Sequence, residues 1–417
     1  MDIFKNSLGV ILAGGVGERL WPLTQDRAKP AVPFGGVYRI IDFTLSNCLN
    51  SNLRRIIILT QYKAQSLIRH LRMGWSIFSP ACGEFIEVIP AQQRVSFNWY
   101  LGTADAVFQN LYYIENIDPK YVIILSGDHV YKMDYGNMLR YHIENNAEAT
   151  IAAIEFPISE SHRFGVIQVN EKMKITGFLE KPKDLSLLPK NKDKILVSMG
   201  VYIFNINLLK NILFEDSNDK ESNHDFGKNI IPKLIQFANI YVYTFVDENK
   251  KQALYWRDIG TLESYWEANM DLVYVDPLFN LYDNEWPIRS YQPSAPPAKF
   301  VFGQEGKRIG IAIDSIVSNG CIVSGGQVKN SVLSPWVRIN SYSLVEQSIL
   351  MDNVNIGRNC KIRRAIIDKN TNVPTDTIIG YEIESDRKRF FTTETGIVVI
   401  KPYDFPPISA SVNKMIV

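Results

Sequence analysis

Between Ser315 and Asp368 four short apolar stretches, SIVS (315–318), SVLS (331–334), SILM (348–351) and AIID (365–368), recur about every 17 residues. Within that period Ile322, Ile339, Ile356 and Val373 line up, and so do Val328, Val345, Ile362 and Ile379. Three small apolar anchors per repeat, separated by Asn, Gly and Ser, suit a triangular coil with one residue pointing inward per side. The chain is therefore expected to carry a parallel β-helix of about four coils that share one core. A β-helix of this kind serves assembly or acyl transfer. Residues 313–380 offer no convincing histidine or coenzyme-A-shaped feature, which favours assembly.

The first half follows a different rule. LGVILAGG, RRIIILTQY (54–62), EFIEVIPA (84–91) and YVIILSGD (121–128) read as buried strands. Between them AQSLIRHLRMG (64–74) and GTADAVFQNLYYIE (102–115) space their apolar residues as helices do. This alternation predicts a doubly wound, mostly parallel α/β sheet, with ligands beyond the carboxyl ends of its strands. From about Ala149 the pattern turns strand-rich, either widening the sheet or walling the site, and TLESYWEANMDLV (261–273) reads as a helix. Prolines and polar residues then displace the periodicity, so 277–312 is read as a linker between a catalytic domain at 1–276 and a β-helix domain with its tail at 313–417.

Composition narrows the function classes. The 417 residues are 46% hydrophobic and 21% charged, which suits a sizeable core, and the net charge of +1 supplies no basic field for nucleic acid or a membrane surface. No apolar run reaches the ~18 residues of a membrane-spanning helix. The apolar N-terminal run flows straight into a glycine loop, so it is read as a strand and not as a signal peptide. Cys48, Cys82, Cys321 and Cys360 form no CxxC pair and are expected to be reduced thiols of a cytoplasmic protein.

The loop GVILAGGVGERLWPLTQDRAKPAV (9–32) carries the chemistry. It fails the dinucleotide fingerprint G-x-G-x-x-G, because Leu20 stands at the sixth position, and it lacks the P-loop spacing. What remains is a strand, a glycine turn, Arg19, and Lys29 before Pro30. Glycines let backbone N–H groups approach phosphate oxygens; Arg19 offers a bidentate fork and Lys29 a compact charge.

LAGGVGERLWPLT and RAKPAV are followed by FGGVYRIIDFTLSNCLNS (34–51), LTQYK (59–63), PAQQR (90–94), NWYLGTADAV (98–107), SGDHVYKMDY (126–135), FLEKP (178–182), SMGVYIF (198–204), HDFGKNIIP (224–232) and YWRDIGTLESYW (255–266). In that order, and over nearly the whole chain, they resemble the glucose-1-phosphate adenylyltransferases, a family of sugar-nucleotide pyrophosphorylases. The resemblance implies a GT-A-like nucleotidyltransferase sheet followed by a left-handed parallel β-helix. It implies adenylyl transfer from ATP to glucose 1-phosphate, giving ADP-glucose for glycogen synthesis and releasing pyrophosphate. The sugar phosphate supplies the nucleophile, so the protein must position two anions and stabilise the leaving group.

By the same resemblance Arg19 and Lys29 hold the β- and γ-phosphates, and Asp128 and Asp258 hold Mg²⁺. Leu12, Gly14, Gly15, Gln61, Gln92, Tyr100, Gly102 and Thr103 take the nucleotide. Lys181 takes the phosphate of glucose 1-phosphate and Glu180 its hydroxyls, with Gly165, Ser198, Tyr202, Asp225 and Trp256 lining the sugar side. His129 is tempting as a base, but the attacking phosphate is already ionised, so a structural role is expected. Members are commonly homotetramers under allosteric control. Asp26 and Pro33 stand where the sugar-bisphosphate-responsive type has Lys and His, which speaks against that activator; Arg39 and Lys299 leave room for another small anion. Two readings remain beside this one: a regulatory subunit of the same fold, and a uridylyl- or thymidylyltransferase of the same chemistry.

Overall fold

The computed structural model describes residues 3–92, 99–184, 188, 193–247, 252–304 and 308–405. They form two compact units, each discontinuous in sequence. The first comprises 1–15 and 43–256, the second 16–42 and 257–417.

The first unit is built on a nine-stranded sheet. Its strands are β1 (Ser7–Ala13), β2 (Arg55–Thr60), β3 (Phe85–Pro90), β4 (Tyr121–Ser126), β5 (Ala149–Pro157), β6 (Gly165–Val169), β7 (Ile175–Glu180), β8 (Lys194–Asn205) and β9 (Ile240–Thr244). The main path runs β7-β6-β8-β4-β1-β2-β3, and β5 bridges β8 to β9. The half that carries the glycine turn is parallel, with β1 between β2 and β4. β8 then joins β4 antiparallel, so the strand-rich stretch widens the sheet. Leu8, Val10, Ile57, Leu59, Val122 and Ile124 lie fully or almost fully buried in one core cluster with Phe204 and Phe226, which is why these strands read as continuous apolar runs.

The helices α1 (Gln65–Gly74), α2 (Thr103–Phe108), α3 (Leu111–Ile117), α4 (Tyr135–Glu144) and α5 (Ile206–Ser217) belong to this unit. The sequence suggests one helix over 102–115; the structure breaks it into α2 and α3 at Gln109–Asn110. Asn110 turns its Nδ2 back to the carbonyl of Ala106 (2.8 Å) and to the hydroxyl of Tyr100 (3.0 Å), so a polar side chain competes with the helix ladder.

In the second unit α6 (Leu262–Asp271) begins at a capping box formed by Thr261 and Ser264. Beyond it three parallel sheets make the β-helix. Two have five strands each, and the third has six, the last of which, Phe391–Thr392, pairs antiparallel with Val398–Ile400. Parallel pairing already begins at Lys299–Val301, inside the stretch read as a linker. Val328, Val345, Ile362 and Ile379 pair in register and point inward, as the repeat predicts. The other column needs a correction. Val323, not Ile322, pairs with Ile339 and then Ile356 and Val373. The corner through Gly325 and Gly326 is one residue shorter than the next corner, from Ile339 to Val345. Gly325 turns it at φ +73°, and a Cβ on Gly326 would sit 2.7 Å from Ile339. No helix among the described residues is long and apolar enough to cross a membrane.

Candidate active site

In the first unit the expected nucleotide residues Leu12, Gly14, Gly15 and Gln61 lie at the carboxyl ends of β1 and β2, and Gln92 lies past that of β3. Gly14 runs so close to Gln61 that a Cβ would lie 3.3 Å from the Cβ of Gln61, whereas the space beside Gly15 is open. Gln61 Oε1 accepts the backbone N–H of Tyr100 (3.1 Å), which fixes the side-chain amide beside the turn. Burial pushes the Tyr100 phenol up, so it stays a neutral ring and hydroxyl. Leu12 is half-buried on β1, and Gln92 is exposed just past β3. Gln93 and Arg94 of PAQQR lie outside the described residues.

Asp128 stands two residues beyond β4, its carboxylate partly exposed. Ser126 Oγ donates to it, and Thr44 Oγ1 holds the Ser126 carbonyl (2.8 Å). His129 Nε2 is 3.6 Å from Asp128 Oδ1. The imidazole packs edge-on against Trp256, with centroids 5.1 Å apart, in an aromatic cluster that Phe156 and Phe164 complete. Trp256 is buried, and its Nε1 has no hydrogen-bond partner among the described residues, so a donor stands ready for a ligand oxygen.

The sugar-side residues also converge. A Cβ on Gly165 would fall 2.9 Å from Glu180 Oε2, and one on Gly227 only 2.7 Å from it. Two missing side chains thus make the room for one carboxylate. Lys181 follows at φ +46°, its Nζ 3.3 Å from Glu180 Oε1. Burial first, and then the charges of Asp225 and Glu180, raise the Tyr202 phenol far above its ordinary range; Ser198 Oγ lies 3.5 Å from its hydroxyl. Asp225 N-caps the turn at 226–230 by accepting from Gly227 N (3.0 Å) and Lys228 N (3.1 Å). Thr103 Oγ1 donates to Asp225 Oδ2 (3.0 Å), joining an expected nucleotide residue to an expected sugar residue.

Arg19, Lys29 and Asp258 belong to the second unit, and there they meet. Gly17, at φ +70°, opens the short turn Glu18–Leu20, and Thr24 Oγ1 donates to its carbonyl (2.9 Å). A Cβ on Gly17 would lie 3.1 Å from Lys29 Cβ, so glycine is required there by conformation and by space. Lys29 is buried in the turn Lys29–Ala31, its Nζ 3.3 Å from Asp258 Oδ1. A Cβ on Gly260 would touch both Asp258 Oδ2 (2.9 Å) and Arg19 Nη2 (3.2 Å). Two cations and a carboxylate therefore share one small space. Sequence reasoning passed over Gly227 and Gly260; the glycines in HDFGK and RDIG were the signal.

The nucleotidyl transferase family model matches residues 8–274. A model described as GlmU-like, C-terminal hexapeptide, matches 296–400. A glucose-1-phosphate adenylyltransferase from Koribacter versatilis is 58% identical over 94% of this chain and 95% of its own length. The chain belongs to the glucose-1-phosphate adenylyltransferase family. Relatives of the same name from Rhodopirellula baltica (54% identical, covering 95% of this chain and 90% of their own) and Methylococcus capsulatus (52%, 95% and 94%) agree. Its reaction is adenylyl transfer from ATP to glucose 1-phosphate.

Proposed function

We propose that the chain forms ADP-glucose by in-line attack of the glucose 1-phosphate oxygen on the α-phosphorus of ATP, with Mg²⁺ as cofactor. The convergence of Arg19, Lys29 and Asp258 carries this reading. Arg19 and Lys29 hold the β- and γ-phosphates, the group that leaves. Asp128 and Asp258 present partly exposed carboxylate oxygens, hard donors that fit Mg²⁺. An ion held there would neutralise phosphate charge and help align the displacement. Lys181 meets the phosphate of glucose 1-phosphate, and Glu180 accepts from its hydroxyls. Gly165, Ser198, Tyr202, Asp225 and Trp256 enclose the sugar, and Trp256 Nε1 donates to one of its oxygens. Leu12, Gly14, Gly15, Gln61, Gln92, Tyr100, Gly102 and Thr103 hold the adenosine. His129 braces Trp256 and moves no proton. Because Arg19, Lys29 and Asp128 are all present, the chain is read as the catalyst and not as a regulatory subunit.

Assaying the four nucleoside triphosphates with glucose 1-phosphate tests the whole reading. Mg²⁺-dependent pyrophosphate release with ATP, abolished by a chelator, is expected. Binding of ATP without product, or a faster reaction with UTP or dTTP, would contradict it.

The catalytic portion is proposed to span 1–276, in a cytoplasmic homotetramer assembled through the β-helix and feeding glycogen synthesis. Regulation is assigned to a small anion at Arg39. Arg39 Nη2 is 2.9 Å from Asp352, while Nη1 is buried without a hydrogen-bond partner among the described residues. Burial, then the nearby charges of Arg27 and Arg39, pull the Lys369 ammonium down from its ordinary value, an environment that an anion relieves. Lys369 thus offers a further cation near Arg39, beside the Lys299 expected from the sequence. Arg39→Ala is expected to raise the half-effective concentration of inorganic phosphate roughly tenfold, the loss of one charge-assisted hydrogen bond. Fructose 1,6-bisphosphate is expected to leave the rate unchanged. An unaltered phosphate response in Arg39→Ala would remove this site.

A further inference from the structure

The turn 222–225, which carries Asp225, is tied down by a pair, a half-buried histidine on a buried carboxylate, that none of the foregoing roles uses. Asp216, near the end of α5, is 2% exposed. Its Oδ2 lies 2.8 Å from His224 Nδ1, and its Oδ1 accepts from Ser222 Oγ at 2.7 Å. Ser222 Oγ in turn accepts the backbone N–H of His224 at 2.9 Å. A carboxylate only accepts, so Nδ1 carries the proton and donates it. The ring of bonds holds His224 in the left-handed region, at φ +51°.

That backbone conformation has a use. The carbonyl of His224 accepts the N–H groups of Ala104 (2.8 Å) and Asp105 (3.3 Å), the first turn of α2. Gly102 makes the approach possible: a Cβ there would lie 2.2 Å from the same carbonyl oxygen. The next residue is Asp225, which accepts from Thr103 Oγ1 (3.0 Å), and Thr103 Oγ1 accepts from Phe226 N (3.1 Å). The Asp216–His224 pair therefore fixes at once the start of α2, with Gly102 and Thr103, and the carboxylate of Asp225.

We propose that Asp216 and His224 are positioning residues that lock the nucleotide-binding start of α2 to the sugar-binding Asp225, so that the two substrates are held by one rigid joint. This rests on the reading of Gly102, Thr103 and Asp225 as substrate-binding groups. In a transfer between two bound anions, small misplacements are costly, since alignment supplies much of the rate. The joint acts through backbone and carboxylate geometry and touches neither substrate.

The test compares His224→Ala, His224→Asn and Asp225→Ala by steady-state kinetics and thermal unfolding. His224→Ala is expected to raise KM for glucose 1-phosphate by roughly ten- to a hundredfold and KM for ATP in parallel. Asparagine keeps a donor near Nδ1 and tolerates the left-handed backbone, so His224→Asn restores both constants. Asp216→Asn, which preserves shape while removing the charged acceptor, falls between them and serves if His224→Ala does not fold. Asp225→Ala raises the glucose 1-phosphate constant most and the ATP constant less, because Thr103 keeps its bond from Phe226 N. If Asp225→Ala leaves the glucose 1-phosphate constant unchanged, the sugar-side reading fails and the joint with it. If Asp225→Ala raises it while folded His224→Ala does not, or if only the unfolding temperature moves, the positioning role is overturned.

Discussion

Asp128→Asn is expected to lower kcat for ADP-glucose formation by about 10³-fold or more, which corresponds to ~4 kcal/mol of lost transition-state stabilisation. The substitution replaces one carboxylate oxygen by an amide and changes almost nothing else. Asp128 lies beyond the end of β4, whose packing rests on Val122, Ile124 and their neighbours. Its carboxylate is partly exposed, and the bond that Ser126 Oγ donates to it can still be accepted by an amide oxygen. Thermal unfolding should therefore stay within about 0.5 kcal/mol of the parent, as for a surface change. ATP should still bind, because Gln61, Arg19 and Lys29 are untouched. The measurements are single-turnover adenylyl transfer and nucleotide binding on the same preparation. Full activity in the variant would show that Asp128 does not serve the chemistry.

The second large effect is on stability. Arg27 forms two parallel bonds of 2.8 Å to the carboxylate oxygens of Asp368, and its Nη1 also lies 3.7 Å from Met351 Sδ. The side chains are only 6% and 9% exposed. Asp368→Ala would strand a buried guanidinium, a loss of about 3–5 kcal/mol. Replacing both partners by apolar residues, Arg27→Met with Asp368→Leu, should recover most of it, because the pair's attraction is largely offset by the cost of dehydrating it. Arg27 is two residues from Lys29, so Asp368→Ala should also raise KM for ATP. Chemical denaturation of the parent, Arg27→Met, Asp368→Leu and the double variant closes a double-mutant cycle that measures the coupling directly. If Asp368→Ala unfolds with the parent, the pair is not what secures this segment.

How much of this was legible beforehand depended on distance along the chain. The β-helix interior could be read because its residues recur locally; only the column through Val323 slipped, where Gly325 and Gly326 turn a corner with one residue fewer. The parallel half of the sheet was legible for the same reason, as β1, β2 and β4 are buried on both faces and carry their own apolar runs; β3, expected to be buried like them, buries only Ile89. Motifs such as HDFGK and RDIG marked where polar groups gather, but not how. That Gly165 and Gly227 clear space for Glu180 depends on tertiary approach. The Arg27–Asp368 pair joins residues 341 positions apart, and no local pattern announces such a bond. The same holds for Lys369, whose significance comes from Arg27 and Arg39 and not from its own neighbours in sequence.

The segment 16–42 lies in the same unit as the β-helix. Anyone seeking to trim this chain, or to exchange its C-terminal module for that of a relative, will find that the compact units do not separate where the apolar periodicity changes. A cut after the sheet would take away the anchor of Arg27 and leave the arm bearing Arg19 and Lys29 without support. A working exchange has to carry that arm with the coils: the natural unit of recombination here is a pair of distant segments, not a stretch of chain.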